Sequence, residues 1–95
     1  MKVYWSDTAL KHLVAIFDYI SRDSNLYAER VIDRLTRRSE QIAQFPRSGR
    51  EVPEFDDDRV REVVEPPYRI VYRLSDDRID ILAVVHSAQS APAAT

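Results

Sequence analysis

The heptapeptide YRIVYRL at residues 68–74 constrains the fold more than any other stretch, because its apolar and polar positions alternate. Alternation with a period of two is typical of a β-strand that buries one face. A second β-prone stretch follows at 78–86, and Asp76 and Asp77 between the two suit a two-residue hairpin loop. The sequence therefore predicts a pair of antiparallel strands.

This hairpin determines which side chains lie opposite each other. On one face all four predicted pairs are apolar or aromatic: Leu74–Ile79, Tyr72–Ile81, Ile70–Ala83 and Tyr68–Val85. On the other face the predicted pairs are Arg73–Asp80, Val71–Leu82 and Arg69–Val84. We therefore expect Arg73 to form a cross-strand ion pair, whereas Arg69 has no carboxylate opposite it.

A third strand, at about 59–64, is joined to this hairpin through Pro66 and Pro67. Proline holds φ at about −65° and does not supply the positive φ of a two-residue primed turn. We therefore expect a three-residue loop at 65–67. In that register one open face of the sheet carries both basic and apolar side chains: Arg61, Arg69, Arg73, Val63, Val71, Leu82, Val84 and His86.

The first half of the chain predicts a short strand and two amphipathic helices. KVYW at 2–5 is β-prone, and Ser6 suits the N-cap of a helix at about 7–22, where apolar residues recur at helical spacing. A second apolar stripe predicts a helix at about 26–44, and SRDSN at 21–25 connects the two. Two amphipathic helices with a short connection predict an antiparallel helical hairpin.

The predicted order of elements is β-α-α-β-β-β. The fold class is therefore α+β, with the helical hairpin packed on one face of a small, mostly antiparallel sheet. A chain of 95 residues suits one domain, which we assign to residues 1–86. The segment SAQSAPAAT at 87–95 offers little apolar surface to bury, so we expect a disordered tail there.

The composition argues against several classes of function. A formal net charge of −2 and a pI near 5.6 argue against nucleic acid as the main partner, because phosphate-binding proteins usually carry a positive balance. The absence of cysteine excludes disulfides and thiol nucleophiles. No apolar run approaches the roughly 20 residues of a membrane span, and MKVYWSD is not a signal peptide. We therefore expect a cytoplasmic protein without a membrane partner.

Signals for catalysis and for cofactors are weak in this sequence. It has no His/Asp/Glu spacing typical of a metal site, no glycine-rich phosphate loop and no nucleophile elbow. We therefore assign no catalytic residue, no metal and no cofactor. Of the two histidines, His12 is expected to face solvent from the first helix. His86, which ends the last strand, is expected to be structural, with general acid–base work as the alternative.

Two groups of arginines each allow two interpretations. The second helix carries a stripe that is either a solvated face or a basic surface for a partner: Arg30, Arg34, Arg37 and Arg38. Arg69 either rests its aliphatic stem on the valines around it or contacts a partner chain. The second interpretation would also explain why the open face carries apolar residues.

Five stretches, in this order, resemble the ParE/RelE superfamily of toxins from type II toxin–antitoxin pairs: YWSDTALKHL at 4–13, FPRSGREVPE at 45–54, VRE at 60–62, PYRIVYRL at 67–74 and ILAVVH at 81–86. The resemblance covers about residues 2–86 and is closer to the ParE-like branch. It implies a helical hairpin against an antiparallel sheet. It also implies a protein partner, an antitoxin whose disordered C-terminal part folds over the toxin.

The resemblance implies one of two activities. RelE-like members cut messenger RNA in the ribosome with basic residues and a group such as tyrosine near the C-terminus, whereas ParE-like members are inhibitors of DNA gyrase. Arg69 lies where both branches commonly carry arginine. Gln89 stands where many relatives keep an arginine, and no tyrosine follows it. These departures and the acidic pI favour the gyrase inhibitor.

We therefore expect a ParE-like toxin that inhibits DNA gyrase by binding and is neutralised, as a hetero-oligomer, by a cognate antitoxin. The alternatives are a ribosome-dependent mRNA endoribonuclease, which would make the chain an enzyme, and a non-toxic subunit of a complex. The candidate contacts with the target are Arg69, Arg61 and His86. The candidate contacts with the antitoxin are Val71, Leu82, Val84, Arg30 and Arg34.

Overall fold

The structure, a computed structural model, describes residues 1–88; residues 89–95, with Gln89 and most of the predicted tail, lie outside the described part. The elements are β1 (Lys2–Trp5), α1 (Asp7–Ser21), α2 (Asn25–Gln44), β2 (Arg50–Glu51), β3 (Val60–Glu65), β4 (Tyr68–Leu74) and β5 (Arg78–His86). The predicted α+β class is confirmed, together with both helices and four of the strands. β2 was not predicted, because two residues are too few to show a periodicity.

The strands form one sheet in the order β1-β5-β4-β3-β2. β1 is parallel to β5, and the other neighbours are antiparallel. The helical hairpin joins β1 to the rest of the chain and packs on one face of the sheet, which is the predicted arrangement. Neither helix is long and apolar enough to cross a bilayer.

Both helices begin at a serine that caps the first turn. The hydroxyl of Ser6 accepts a hydrogen bond from the N–H of Ala9 at 3.0 Å, and Ser24 accepts one from Tyr27 at 3.1 Å. These contacts satisfy N–H groups that have no partner inside the helix. The predicted N-cap at Ser6 is therefore confirmed.

The main apolar core lies between the helical hairpin and the sheet. Its buried members come from both helices and from β3, β4 and β5: Ala9, Val31, Leu35, Ile42, Val63, Ile70, Tyr72, Leu74, Ile79, Ile81 and Val84. α1 contributes only one fully buried residue, Ala9, although most of its residues are apolar. Much of the apolar surface of α1 is therefore only partly covered.

The β4–β5 hairpin has the predicted register near its turn and a different one further on. The predicted pairs Leu74–Ile79, Arg73–Asp80 and Tyr72–Ile81 are confirmed. Leu82 is then an extra residue, so the next pairs are Val71–Ala83, Ile70–Val84, Arg69–Val85 and Tyr68–His86. The predicted pairs beyond Tyr72 are therefore wrong. Because of this β-bulge, Val84 lies beneath the helices rather than on the opposite face.

α1 and its N-cap contact this bulge directly. The backbone N–H of Ser6 donates to the Ile81 carbonyl at 3.0 Å, and its hydroxyl donates to the Leu82 carbonyl at 3.3 Å. The N–H of Val84 donates to Nδ1 of His12 at 3.1 Å. These contacts satisfy backbone groups that a bulge removes from the regular ladder. His12 therefore joins helix to sheet, whereas we had predicted a solvent-facing side chain.

The β3–β4 connection also differs from the prediction. Glu65 pairs with Tyr68, so the loop consists only of Pro66 and Pro67, and the peptide bond between them is cis. The prediction assumed that a two-residue loop needs positive φ, but no non-glycine residue within 1–88 has one. The shift of one residue turns the side chains of Arg61 and Val63 toward the helix side of the sheet and that of Glu62 toward the other face.

The second face of the sheet is covered, although we expected it to be open. Residues 52–58, which we call the covering segment, cross this face after β2. Val52 is buried and Phe55 half-buried in a second, smaller apolar cluster with the sheet residues Val60, Val71, Ala83 and Val85 and the half-buried Leu82. The sheet therefore carries apolar clusters on both faces.

Candidate functional site

Arg69, the first predicted target contact, lies beneath the covering segment with a side chain that is only 7% exposed. Its Nη1 donates to Oε1 of Glu62 at 2.6 Å, and its Nη2 donates to Oε2 of Glu54 at 2.6 Å. The residues opposite Arg69 are Val64 and Val85, so no carboxylate lies across the strands, but the prediction of an unpaired Arg69 is wrong. Hydrogen bonding to Glu54, and then to Glu62, raises the pKa of Arg69, so the guanidinium remains charged.

Glu62 is the central carboxylate of this cluster. Its side chain is fully buried, and its second oxygen accepts a hydrogen bond from Nε of Arg50 at 2.7 Å and forms an ion pair with Nη2 of the same arginine at 2.7 Å. Glu62 therefore lies between two guanidinium groups, and Glu54 adds a second carboxylate. We call Arg50, Glu54, Glu62 and Arg69 the buried ion cluster after Glu62 and Arg69, its buried members; the side chains of Arg50 and Glu54 are 69% and 26% exposed. Its two positive and two negative charges balance.

Sequence reasoning missed the buried ion cluster for two reasons. The predicted register was wrong by one residue: it placed Val63 opposite Arg69, whereas Val64 lies there and Glu62 lies diagonal to Arg69 on the same face. Glu54 lies in a segment without secondary structure, where no periodicity indicates its position. The available signal was Glu62 between Val60 and Val64 on one face of β3, because a buried carboxylate requires a cation nearby.

Arg61, the second predicted target contact, points away from Arg69. Its Nη1 donates to the Gly49 carbonyl at 3.0 Å on the helix side of the sheet, and the side chain is half-buried. The Tyr72 hydroxyl donates to the Pro46 carbonyl at 2.6 Å and accepts from the Gly49 N–H at 3.2 Å. Arg61 and Tyr72 together fix the backbone that leads into β2, and burial raises the pKa of Tyr72.

Gly49, the single glycine of the chain, is required by this close packing. A Cβ at this position would lie 2.5 Å from the Tyr72 hydroxyl oxygen and 2.8 Å from the Glu62 carbonyl oxygen. Neither atom can move away without breaking a hydrogen bond or the sheet. Glycine therefore allows the close approach of backbone and tyrosine at the start of β2.

His86, the third predicted target contact, has an exposed side chain at the end of β5. Its ring lies edge-on to Tyr68 with centroids 6.0 Å apart, and its Nδ1 accepts from the Ala88 N–H at 3.3 Å. The structure therefore does not bring the three predicted target contacts together. Arg69 lies on the covered face, Arg61 beneath the helices and His86 at the strand end.

The predicted antitoxin contacts are also spread over different environments. Val71 and Val84 are buried on opposite faces of the sheet, and Leu82 is half-buried at the bulge. Arg30 is exposed on α2. Arg34 forms an ion pair with Glu65 at 3.1 Å and donates to the Pro66 carbonyl at 2.7 Å. Of the three apolar candidates, none presents a largely exposed side chain.

The ion pair predicted between Arg73 and Asp80 is replaced by another. The two residues do lie opposite each other, but Asp80 accepts from Nη2 of Arg78 at 2.6 Å, two residues away on the same strand. The Arg78 guanidinium also lies 3.8 Å from the ring centroid of Tyr4 on β1. This arginine therefore bridges β5 and the edge strand.

Five of the nine exposed large apolar side chains within residues 1–88 lie on the helical hairpin, where sequence reasoning did not look for an apolar surface. They are Leu10, Val14 and Tyr19 on α1 and Leu26 and Tyr27 on α2. Val14 is 60% and Tyr19 70% exposed. Clusters of exposed apolar side chains of this kind mark surfaces for protein partners. We call these five residues the hairpin surface.

No metal-binding arrangement occurs among residues 1–88, since no group of three or more His, Asp or Glu side chains there could hold an ion. The two histidines are distant in the sequence and make different contacts. His12 contacts the β5 backbone, and His86 packs against Tyr68. Candidate sites in the described part are the buried ion cluster and the hairpin surface.

Known proteins resemble this chain over nearly its whole length. A family model described as ParE toxin of type II toxin–antitoxin system, parDE, matches residues 3–91. Toxin RelE2 of Caulobacter vibrioides is 37% identical over 89 residues, which are 93% of this chain and 97% of the relative. The Sinorhizobium fredii protein Y4kP is 34% identical over 91 residues, 96% of this chain and 93% of the relative.

A solved structure has the same fold. The one described as the chromosomal ParDE TA system from P. aeruginosa matches with a TM-score of 0.75 over 90% of this chain and 95% of that chain, at 22% identity. At that identity the likeness concerns the fold. The family follows from the match over residues 3–91 and from the relative that is 37% identical. The chain belongs to the ParE toxin family of type II toxin–antitoxin systems.

Proposed function

We propose that this protein inhibits DNA gyrase by binding to it in the cytoplasm, and that a cognate antitoxin neutralises it by forming a complex. The family match over residues 3–91 carries this proposal, because gyrase is the target implied for the ParE-like branch. The P. aeruginosa structure is described as a ParDE system, which supports a toxin that works together with an antitoxin.

The surroundings of Arg69 support binding rather than RNA cleavage. An arginine that attracts a phosphate group must present the open side of its guanidinium. Here Glu54 and Glu62 occupy both Nη atoms of Arg69, and the side chain is 7% exposed. His12, one of the two histidines, uses a ring nitrogen to accept from the backbone of β5. Groups suited to transferring protons to RNA are therefore few in this fold.

Two other functions are alternatives to gyrase inhibition, and the experiment below distinguishes them. A ribosome-dependent mRNA endoribonuclease is favoured by one observation, the name Toxin RelE2 of the Caulobacter vibrioides relative. A non-toxic member would keep the antitoxin partner without acting on a cellular target. These alternatives predict different effects on DNA topology, on translation and on growth.

The test combines purified protein with induced expression. We expect the purified protein at micromolar concentration to abolish supercoiling by gyrase, and the co-purified antitoxin to restore it. Induced cells should then form filaments with damaged nucleoids while translation continues. Unchanged supercoiling together with cleavage of ribosome-bound message would show that the target is the ribosome and not gyrase. Expression without growth arrest would indicate the non-toxic subunit.

We further propose that the antitoxin packs on the hairpin surface. Val71 and Val84, predicted from the sequence, lie inside the two apolar clusters, whereas Leu10 and Val14 are exposed one helical turn apart on α1. An amphipathic segment of the partner could bury Leu10 and Val14 together, because residues four apart in a helix share a face. Arg30, the exposed candidate on α2, would contact a carboxylate at the rim.

Co-expression with the antitoxin tests this surface. We expect the double substitution of Leu10→Ser and Val14→Ser to lower the amount of co-purified antitoxin at least about tenfold, because each exposed apolar side chain loses roughly 1 kcal/mol or more of buried contact. Ala15→Ser, at an exposed neighbouring position of α1, is the matched control and should copurify as the wild type does. Equal recovery of the antitoxin with both variants would contradict the proposed surface.

His86 is the best remaining candidate for a target contact. Among Arg69, Arg61 and His86, it alone has an exposed side chain in this structure. His86→Ala should therefore weaken gyrase inhibition while the circular-dichroism spectrum and antitoxin binding stay unchanged. Inhibition at the wild-type level would remove His86 from the proposed contact surface.

A further inference from the structure

We infer that the covering segment, residues 52–58, is a detachable cover over the second face of the sheet, and that the ion pair between Glu54 and Arg69 is its latch. The inference goes beyond the proposed function and does not depend on the identity of the target. It follows from how the segment is attached, from where its charges lie and from what it covers.

Within residues 1–88 the backbone of the covering segment is hydrogen-bonded to the sheet only near its two ends. Pairing with β3 ends at Glu51, which lies opposite Arg61. At the other end the Asp57 carbonyl accepts from the Val60 N–H at 3.1 Å, and the Arg59 carbonyl accepts from the Leu74 N–H at 2.8 Å. Between these points the Phe55 N–H donates to Val52 within the segment itself, at 3.0 Å. Backbone contacts therefore fix the ends of the segment, and side chains must hold its middle.

Those side chains are two apolar residues and one carboxylate. Val52 and Phe55 pack on the second apolar cluster, and Glu54 accepts from Arg69 at 2.6 Å. The fixed half of this ion pair belongs to the sheet, because Arg69 is also held by the fully buried Glu62 at 2.6 Å. The movable half belongs to the segment, and Glu54 keeps part of its side chain, 26%, in contact with solvent.

The other carboxylates near the cover form no ion pair with the strands of the sheet within residues 1–88. Residues 51–58 carry five carboxylates: Glu51, Glu54, Asp56, Asp57 and Asp58. Of these five, only Glu54 and Asp57 form an ion pair with an arginine of residues 1–88, and Asp57 pairs with Arg59 at the end of the segment itself. The other three are exposed to solvent. Glu54 therefore supplies the ion pair that joins the middle of the segment to the sheet.

Opening of the cover would expose a surface that the closed fold hides. Beneath it lie Val60, Val71, Ala83 and Val85, together with Arg69. An apolar floor with one arginine is a suitable surface for a protein partner that supplies an apolar segment with a carboxylate. In this protein Glu54 and Val52 already supply that carboxylate and an apolar side chain. Any contact of another macromolecule with Arg69 therefore requires the cover to move first.

Hydrogen exchange measured by mass spectrometry tests the latch in the full chain. Glu54→Gln removes the charge and keeps the shape, and the loss of a charge-assisted hydrogen bond should raise opening roughly ten- to a hundredfold. We expect exchange in peptides that cover residues 52–58 to become faster by that factor at the Phe55 amide, whose hydrogen bond to the Val52 carbonyl protects it in the closed segment. Amides of β4, Tyr68–Leu74, should keep their wild-type protection. Asp58→Asn, an exposed carboxylate in the same segment that forms no ion pair within residues 1–88, is the matched control and should leave both regions unchanged.

Two results would overturn the inference. If Glu54→Gln leaves exchange in residues 52–58 unchanged, the ion pair is not a latch. If the substitution accelerates hydrogen exchange in β4 by the same factor as in residues 52–58, the segment does not open separately from the sheet. Val52→Ala gives an independent check, because loss of its buried methyl groups should also accelerate exchange in the covering segment. Val52→Ala without any acceleration there would likewise contradict a detachable cover.

Discussion

Glu62 is the residue on which the second face of the sheet depends most. It has no contact with solvent and lies between Arg50 and Arg69, so its charge is neutralised only by these two guanidinium groups. Removal of one partner from a buried ion pair leaves the other charge buried and uncompensated, and this costs more than the pair itself contributes. Of the two ion pairs of Arg69 described above, the one with the less buried Glu54 would remain.

Glu62→Ala should therefore lower the free energy of unfolding by about 3–5 kcal/mol. Urea denaturation followed by circular dichroism measures this change. Glu51→Ala, at the exposed neighbouring strand β2, should change it by no more than about 0.5 kcal/mol. A loss below about 1 kcal/mol for Glu62→Ala would mean that water enters the cluster and solvates Arg69.

A second prediction for a single residue concerns Tyr72 and the dependence of the free energy of unfolding on pH. Burial raises the pKa of Tyr72 above its ordinary value of 10.0, so the folded protein favours the neutral hydroxyl. This stabilisation is complete below about pH 10 and is lost as the pH rises through the folded-state pKa. Tyr72→Phe removes the hydrogen bonds to Pro46 and Gly49, and should cost about 1–3 kcal/mol at neutral pH.

Urea denaturation of both proteins between about pH 8 and pH 11 separates the two effects. The wild type should lose more stability than Tyr72→Phe over this range, because only the wild type ionises a hydroxyl at this position. The other tyrosines, including Tyr68, are present in both proteins and cancel in the comparison. Parallel curves for the two proteins would show that Tyr72 is not responsible for the alkaline loss.

At the scale of elements, the bulge at Leu82 decides which residues face the helices. The alternation at 68–74 and the helical spacing at 7–22 and 26–44 were enough to predict the helices, β4 and β5. They were not enough to predict the bulge, because it is fixed by contacts from Ser6, which lies 76 residues away in the chain. A local pattern carries no information about such a contact, and one extra residue turns all later side chains to the other face.

The two N-cap serines, Ser6 and Ser24, allow a matched test of the contact between Ser6 and the bulge at Leu82. Ser24→Ala removes only a cap and should cost about 1 kcal/mol of unfolding free energy. Ser6→Ala also removes the hydrogen bond to the Leu82 carbonyl, so it should cost about 1–1.5 kcal/mol more. Thermal or urea unfolding measures both. Equal costs would show that the Ser6 hydroxyl acts as a helix cap and not as a support of the bulge.

At the scale of the whole molecule, one sheet supports two different surfaces. The helical hairpin covers the first face and leaves apolar residues such as Val14 exposed, while residues 52–58 cover the second face and hide Arg69. The family and the arrangement of helices and sheet could be predicted from the sequence. The site could not, because the sequence identifies Arg69 as unusual but does not show that Glu54, fifteen residues earlier, folds over it.

The composition of the last residues makes a prediction for the whole chain. SAQSAPAAT at 87–95 offers little apolar surface to bury, so we predict that residues 89–95 are dispensable for folding. A chain that ends at Ala88 should therefore keep its unfolding free energy within about 0.5 kcal/mol of the full chain. Urea denaturation of the two proteins measures the difference. Because the family match continues to residue 91, the shortened chain should also be compared in the gyrase assay. A loss of inhibition with stability unchanged would place a target contact in the last seven residues, whereas a loss of stability would contradict the assignment of the domain to residues 1–86.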